Sequence, residues 1–300
     1  MKLKRSIAFF LFCFGLGTQA WAQEVVHFES RDLTASGAPV RLSGLWFAPR
    51  DPARQVGAMI GLHGCGGLWS SSASSTESAR QMSQRHAQMA ALLVREGYAV
   101  LMLDSFTTRD RPRGICAEKI GQRSITQTNR RRDLLAALDW VAARPGVARS
   151  KIGVLGWSHG GSAVLAGSDA AHAEVAQFVA QGGAKPAVAV AFYPGCSAAV
   201  KDGYRPVAPT QIHIGEKDDW TPPGPCVALS ERLRKQMPGL ETFLYADSYH
   251  DFDSPNTSLR VRSEVPNGIN PGKGVTVGSN PVARELAYRR VTQFLAQHLR

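Results

Sequence analysis

A serine between glycines, then a carboxylate, then a histidine follow one another in this 300-residue chain in an order suited to nucleophilic acyl transfer. The serine is Ser158, inside Lys151-Ile-Gly-Val-Leu-Gly-Trp-Ser-His-Gly-Gly161. Ile152, Val154 and Leu155 form a short apolar β-type run, and Ala163, Val164 and Leu165 continue as a helix-forming stretch. Ser158 therefore falls at a sharp strand-to-helix turn, the setting of a Gly-x-Ser-x-Gly nucleophile elbow. Gly156 and Gly160 suit it, because such a turn leaves no room for side chains beside its backbone. The plainer reading is a tight turn whose serine caps the helix.

A serine hydroxyl is a weak nucleophile near neutral pH and needs a histidine base oriented by an acid. After Ile212 to Gly215 comes Glu216-Lys217-Asp218, and after Phe243 to Tyr245 comes Ser248-Tyr249-His250. Asp218 and His250 thus fall on loops after later strands, in the order Ser, Asp, His. Asp219 is the adjacent rival acid, and His298 in the last helix is the rival base. His213 lies within a strand and reads as a core histidine. The developing oxyanion needs two preorganised donors. One expectation is the backbone N–H of His159, next after the serine. The other is the N–H of Cys65, in His63-Gly-Cys-Gly-Gly67 at the end of a strand.

The elements that must position these groups are legible as alternating apolar runs. Val25 to Leu33 and Val40 to Phe47 predict an antiparallel hairpin around Ser36-Gly37. Buried-type strands are predicted over Val56 to Leu62, Tyr98 to Leu103, the elbow strand, Ala187 to Phe192, Gln211 to Ile214 and Thr242 to Tyr245. Helices are predicted over Glu77 to Arg95, up to about Ala143, after Ser158, over Ala173 to Ala180, Pro223 to Met237 and Pro281 to His298. Strands alternating with helices predict crossover units and a mainly parallel sheet. Ser70 to Ser75 reads as a loop. Ser254 to Asn280, rich in Gly, Pro, Asn and Ser, has no sustained period and reads as a functional or mobile connection, a candidate lid.

Residues 1–22 read as a secretory signal: Lys2, Lys4 and Arg5 precede the apolar run Ile7 to Leu16, and Ala20-Trp21-Ala22 has the small-x-small form of a cleavage site. That apolar run is short for a membrane span. The expected product is one domain over residues 23–300, periplasmic or secreted, with no stable membrane insertion after signal cleavage. Loss of the three leader cations lowers the formal charge from +11 to +8, and no basic stripe with interleaved aromatics points to nucleic acid. The remaining cysteines, Cys65, Cys116, Cys196 and Cys226, suggest disulfides in an exported chain, with three pairings open. Cys65 with Cys116 and Cys196 with Cys226 are favoured, each tying loops expected at one end of the sheet. Without a C-x-x-C pair, a zinc site is the weaker reading, and no metal or organic cofactor is expected.

These motifs resemble the dienelactone hydrolase family of α/β-hydrolases, and the resemblance implies an α/β-hydrolase fold, a mostly parallel eight-stranded sheet flanked by helices. The resemblance rests on His63-Gly64, Gly156 to Gly161, Gly215 to Pro222, Tyr249-His250-Asp251-Phe252 and the ending from Asn280-Pro281 into Val291 to Leu295. Dienelactone hydrolases use a cysteine nucleophile where this chain has Ser158, so the resemblance implies a general carboxylic ester or lactone hydrolase acting on a small molecule. Two rival expectations are a peptidase resembling prolyl-oligopeptidase catalytic domains and a non-catalytic binding protein on the same fold. For substrate contacts, Arg109, with Arg111 and Arg113, sits on a loop expected to reach the site, where it would pair with a carboxylate or simply be solvated. Trp157, Tyr193 and Trp220 would line an aromatic pocket or belong to the core.

Overall fold

Val56–Leu62 and Ala99–Asp104 carry no polar side chain before Asp104, and both segments are buried almost throughout. Strands of this kind need a helical layer on each face. A computed structural model of the chain, describing residues 22–48, 53–70, 81–235 and 239–300, has both layers. The strands of the main sheet are β1 (Ala22–Leu33), β2 (Pro39–Ala48), β3 (Val56–Leu62), β4 (Ala99–Asp104), β5 (Val147–Trp157), β6 (Val188–Phe192), β7 (Thr210–Gly215) and β8 (Leu240–Tyr245). The helices are α1 (Gln84–Arg95), α2 (Gln127–Ala142), α3 (His159–Gly167), α4 (Ala173–Ala180), α5 (Ser197–Asp202), α6 (Gly224–Leu233) and α7 (Pro281–Leu299).

Successive strand side chains point to opposite faces, and the core divides accordingly. Met59, Val100 and Met102 join α1, α6 and α7 in one apolar layer. Ala58, Ile60, Leu62, Leu101 and Leu103 join α2 and α4 in the other. Each fully buried large aliphatic side chain here contributes about 1.5–3 kcal/mol. Thr126 caps α2 by accepting from Asn129 N–H, and Asn280 caps α7 by accepting from Ala283 N–H, with Pro281 at its first turn.

The sheet runs β1-β2-β4-β3-β5-β6-β7-β8, antiparallel where β2 meets β1 and β4 and parallel from β4 to β8. This is the expected eight-stranded α/β-hydrolase arrangement. Register brings the strand ends level, with Leu62 opposite Gly156, Trp157 opposite Phe192 and Gly215 opposite Tyr245. The loops after β3, β5, β7 and β8 consequently leave one edge at one height, where open α/β sheets bind their ligands.

Several expectations need correction. The first long helix starts at Gln84, since Met82 instead pairs with Trp69 in an isolated bridge and Ser83 is extended at ψ 148°. Its expected start at Glu77 lies outside the described residues, as do most of the Ser70 to Ser75 loop, residues 1–21 of the expected leader and the last residues of the helix expected to reach Met237. Residues 254–280 are not periodless, because β9 (Arg260–Arg262) pairs antiparallel with β10 (Val275–Val277). Val265, Val275 and Val277 from this segment are buried in an apolar cluster with Cys65, Phe106, Ile115, Cys116, Ile125 and Trp220. The signal was too short to register as a strand period. The helix α5 was not anticipated at all.

Candidate active site

The chain leaves β5 at Trp157 and enters α3 at His159, so Ser158 alone makes the turn, at φ 52° and ψ −115°. A non-glycine residue at positive φ is strained and persists only where its surroundings fix it. Here Ser158 N–H donates to Phe192 O at 2.8 Å, and Ser158 O accepts from Ser162 N–H at 2.8 Å. The flanking glycines are required sterically. A Cβ on Gly156 would lie 2.4 Å from Gly160 O, and one on Gly160 would lie 2.1 Å from Leu62 O.

His250 follows β8, and its Nε2 lies 2.9 Å from Ser158 Oγ. Its Nδ1 lies 2.8 Å from Asp218 Oδ2. With Nδ1–H donating to the carboxylate, Nε2 is left as the acceptor for the serine hydroxyl. Asp218 is itself fixed, because Oδ1 accepts from Trp220 N–H at 2.9 Å and Thr221 N–H at 2.8 Å. The imidazole sits between Tyr193 and Trp220, each ring centroid 4.5 Å away. Both partners are buried, and Ser158, 7% exposed, lines a surface cleft.

Of the rivals, Asp219 accepts from Thr276 N–H and Oγ1–H at 2.8 and 2.7 Å and so holds the β9–β10 segment, while Asp218 is the acid that meets His250 Nδ1. His298 is exposed near the end of α7, against Phe294. His213 is in the core, 2.7 Å from Tyr245 Oη and stacked on Phe192 and Phe243. Burial, followed by the nearby Arg290 charge, pushes its pKa down to about 3.

The N–H groups of Cys65 and His159 donate to no backbone carbonyl among the described residues. The Cys65 turn presses on the elbow, since a Cβ on Gly64 would lie 3.3 Å from Trp157 O and 3.5 Å from Ser158 Cβ. The disulfides are Cys65–Cys116 and Cys196–Cys226, as expected.

The proposed substrate contacts divide. Trp220 lines a cleft of about 160 Å³ with Gly64, Cys65, Ser158 and His250. Arg109 does not reach it: its guanidinium donates to Asp133 at 2.7 and 2.9 Å and to Asp32 at 2.9 Å, joining β1 to α2. Arg111 is turned to Ser124 and Glu118. Trp157 is fully buried, with Nε1–H donating to Asp253 at 2.8 Å. Tyr193 is fully buried beneath His250, its hydroxyl donating to Asp253 at 2.5 Å. Both belong to the support of the site, not its lining.

Sequence reading missed two arginines that line the cleft, Arg85 and Arg262. Arg85 donates to Asp251 at 2.5 Å and to Tyr193 Oη at 2.7 Å. Burial would raise the Asp251 carboxyl, but Arg85, and then the neighbouring His250, bring it down to about 2. Arg85 carries no local signal, although two acids spaced around Phe252 directly after His250 were a visible one. Among the described residues no group of three or more His, Cys, Asp or Glu side chains could hold a metal ion, and no helix is long and apolar enough to cross a membrane.

A model of the dienelactone hydrolase family matches residues 78–299. No curated protein matches the sequence. Among solved structures, the chain is similar to a dienelactone hydrolase-like promiscuous phosphotriesterase from metagenomic libraries, at 15% identity and TM-score 0.61, over 92% of this chain and 99% of that one. It is similar to Thermogutta terrifontis esterase 2, solved phosphoramylated by tabun, at 16% identity and TM-score 0.59, over 92% of this chain and 94% of that one. A Pyrococcus furiosus esterase resembles it at 19% identity and TM-score 0.56, over 93% of this chain and 94% of that one. At these identities the likeness is one of fold.

Proposed function

The chain belongs to the dienelactone hydrolase family, and on that premise we propose that it is an exported serine hydrolase cleaving carboxylic esters or lactones through an acyl-enzyme. The observation that carries the reading is the line Ser158, His250, Asp218, joined at 2.9 and 2.8 Å. His250 Nε2 takes the Ser158 proton as Oγ attacks the acyl carbon, and Asp218 holds the imidazolium so formed. The oxyanion is met by the N–H groups of His159 and Cys65. His250 returns the proton to the departing alcohol. Water, giving its proton to the same nitrogen, then cleaves the acyl-enzyme. Side chains, backbone and water carry every step.

The cleft of about 160 Å³ favours a short acyl group, with Trp220 as its aromatic wall. The two disulfides support export, since such bonds persist in oxidising compartments. The test is a panel of p-nitrophenyl esters of increasing chain length beside the matching p-nitroanilides. Turnover of short esters, lost in Ser158→Ala, is expected. Retained turnover in Ser158→Ala would overturn the reading, and preference for the anilide would favour a peptidase.

A further inference from the structure

The second proposed oxyanion donor lies in a turn with little stiffness of its own. Cys65 is flanked by Gly64, Gly66 and Gly67, and glycine leaves backbone freer than any other residue. Oxyanion stabilisation depends on donors fixed before charge develops, so a loose donor is a poor one. Something else must hold the Cys65 peptide.

Two tethers do so, both from one neighbouring segment. Cys65 Sγ is bonded to Cys116, and Cys65 O accepts from Ile115 N–H at 2.8 Å. The two segments are in close contact: a Cβ on Gly114, which sits at φ 81°, would lie 2.2 Å from Cys65 O and 2.8 Å from Gly66 Cα. The anchoring segment is itself rigidly placed. Ile115 and Cys116 are buried in the apolar cluster that includes Phe106, Trp220 and Val275. On the far side, Gly64 abuts Trp157 O and Ser158 Cβ. The turn is held between the nucleophile elbow and residues 114–116.

Resting on the serine-hydrolase reading, we propose that the Cys65–Cys116 disulfide is a positioning clamp for the oxyanion N–H of Cys65, acting on turnover beyond its effect on stability. Cys65 and Cys116 do this without their sulfurs touching the reaction. The second disulfide provides the comparison. Cys196–Cys226 closes a loop of similar kind, 30 residues apart against 51, but neither of its cysteines lines the cleft. Cys226 Sγ faces Pro194 O instead.

The experiment compares mature wild type, Cys65→Ala/Cys116→Ala and Cys196→Ala/Cys226→Ala on one short p-nitrophenyl ester, with Tm measured for each. Both double variants are expected to lose Tm. Only Cys65→Ala/Cys116→Ala is expected to lose kcat, by about ten- to a hundredfold, with KM within about twofold, because loosening a donor costs less than the 10²- to 10³-fold of removing one. Gly114→Ala keeps both disulfides while displacing the Cys65 carbonyl, and the same fall in kcat at unchanged KM is expected from it. If neither Cys65→Ala/Cys116→Ala nor Gly114→Ala folds, native-state reduction of Cys196→Ala/Cys226→Ala, in which Cys65–Cys116 is the disulfide that remains, decides the matter: kcat is expected to fall on reduction and to return on reoxidation, and an unchanged kcat would overturn the clamp. Equal kcat in the two double variants at a temperature where both are folded, or an unchanged kcat in Gly114→Ala, would overturn the clamp. If wild type turns over no ester and Ser158 cannot be acylated, the serine-hydrolase reading itself has failed, and the two failures are told apart.

Discussion

Arg85 donates to Asp251 across 2.5 Å, so the first turn of α1 is tied to the residue immediately after His250. Asp251 sits at φ 62°, a conformation that needs such external support. The side chains are only 14% and 20% exposed, and Arg85 also lies 3.7 Å from the fully buried Asp253. Arg85→Met leaves Asp251 without its cation, while Asp253 keeps its bonds from Trp157 and Tyr193, and is expected to lower stability by about 2–3 kcal/mol, the range for breaking a buried pair reduced for partial exposure. Denaturant unfolding measures this. The Asp251 carboxyl, held at about 2, is depressed from an unfolded value near 4. Its contribution is therefore present above about pH 4 and lost as pH falls toward 2, and Arg85→Met should flatten that acid limb.

His213 gives the opposite case, a base held neutral. Its pKa of about 3 lies below the ordinary value of 6.5, so between those values the unfolded chain binds a proton that the folded one does not. Stability then falls as pH drops from about 6.5, by about 1.4 kcal/mol per unit for this group. His213→Phe, stacked on Phe192 and Phe243, should reduce the slope of unfolding free energy against pH by about that amount. An unchanged slope would show that His213 is not the group responsible.

The elbow glycines should tolerate nothing larger. Gly160→Ala places a Cβ 2.1 Å from Leu62 O and 2.4 Å from His63 O, both backbone atoms that cannot turn aside. A loss of about 3 kcal/mol or more is expected. Gly121→Ala, with nothing within 4 Å of the added Cβ, should stay within about 0.5 kcal/mol. Thermal unfolding of the pair makes the comparison.

The two adjacent acids separate by role. Asp218→Asn leaves His250 Nδ1 facing an amide, and a fall in kcat of about 10³- to 10⁴-fold on a short ester is expected, by analogy with serine triads. Asp219→Asn weakens its bonds to Thr276 and should cost about 1 kcal/mol of stability with kcat changed less than tenfold. Similar kcat losses in both would mean that the acid has been assigned to the wrong residue.

Local chemistry was legible where sequence neighbours make it. Gly156, Ser158 and Gly160 announce a strand-turn-helix within a few residues, and strands ending at Gly215 and Tyr245 place Asp218 and His250 at the sheet edge. The disulfide pairing is open in the sequence, where Cys65 with Cys116 and Cys196 with Cys226 are favoured only because they tie loops expected at that edge; the structure has those two pairs. What stayed hidden depends on long-range pairing. Nothing beside Arg109 indicates that Asp32 and Asp133, 77 and 24 residues away, neutralise it. Nothing beside Arg85 indicates Asp251, 166 residues away. The strands β9 and β10, at three residues each, are too short to show a period of two and are held by Asp219 and the apolar cluster.

The measurement closest to the central proposal is fluorophosphonate labelling of the mature protein, with intact mass and peptide mapping, beside His250→Ala. Nucleophilic Ser158 activated by His250 predicts one adduct, mapped to Ser158, with labelling slowed at least a hundredfold in His250→Ala. A folded wild type that carries no adduct at Ser158, or a His250→Ala variant labelled at the wild-type rate, would contradict it.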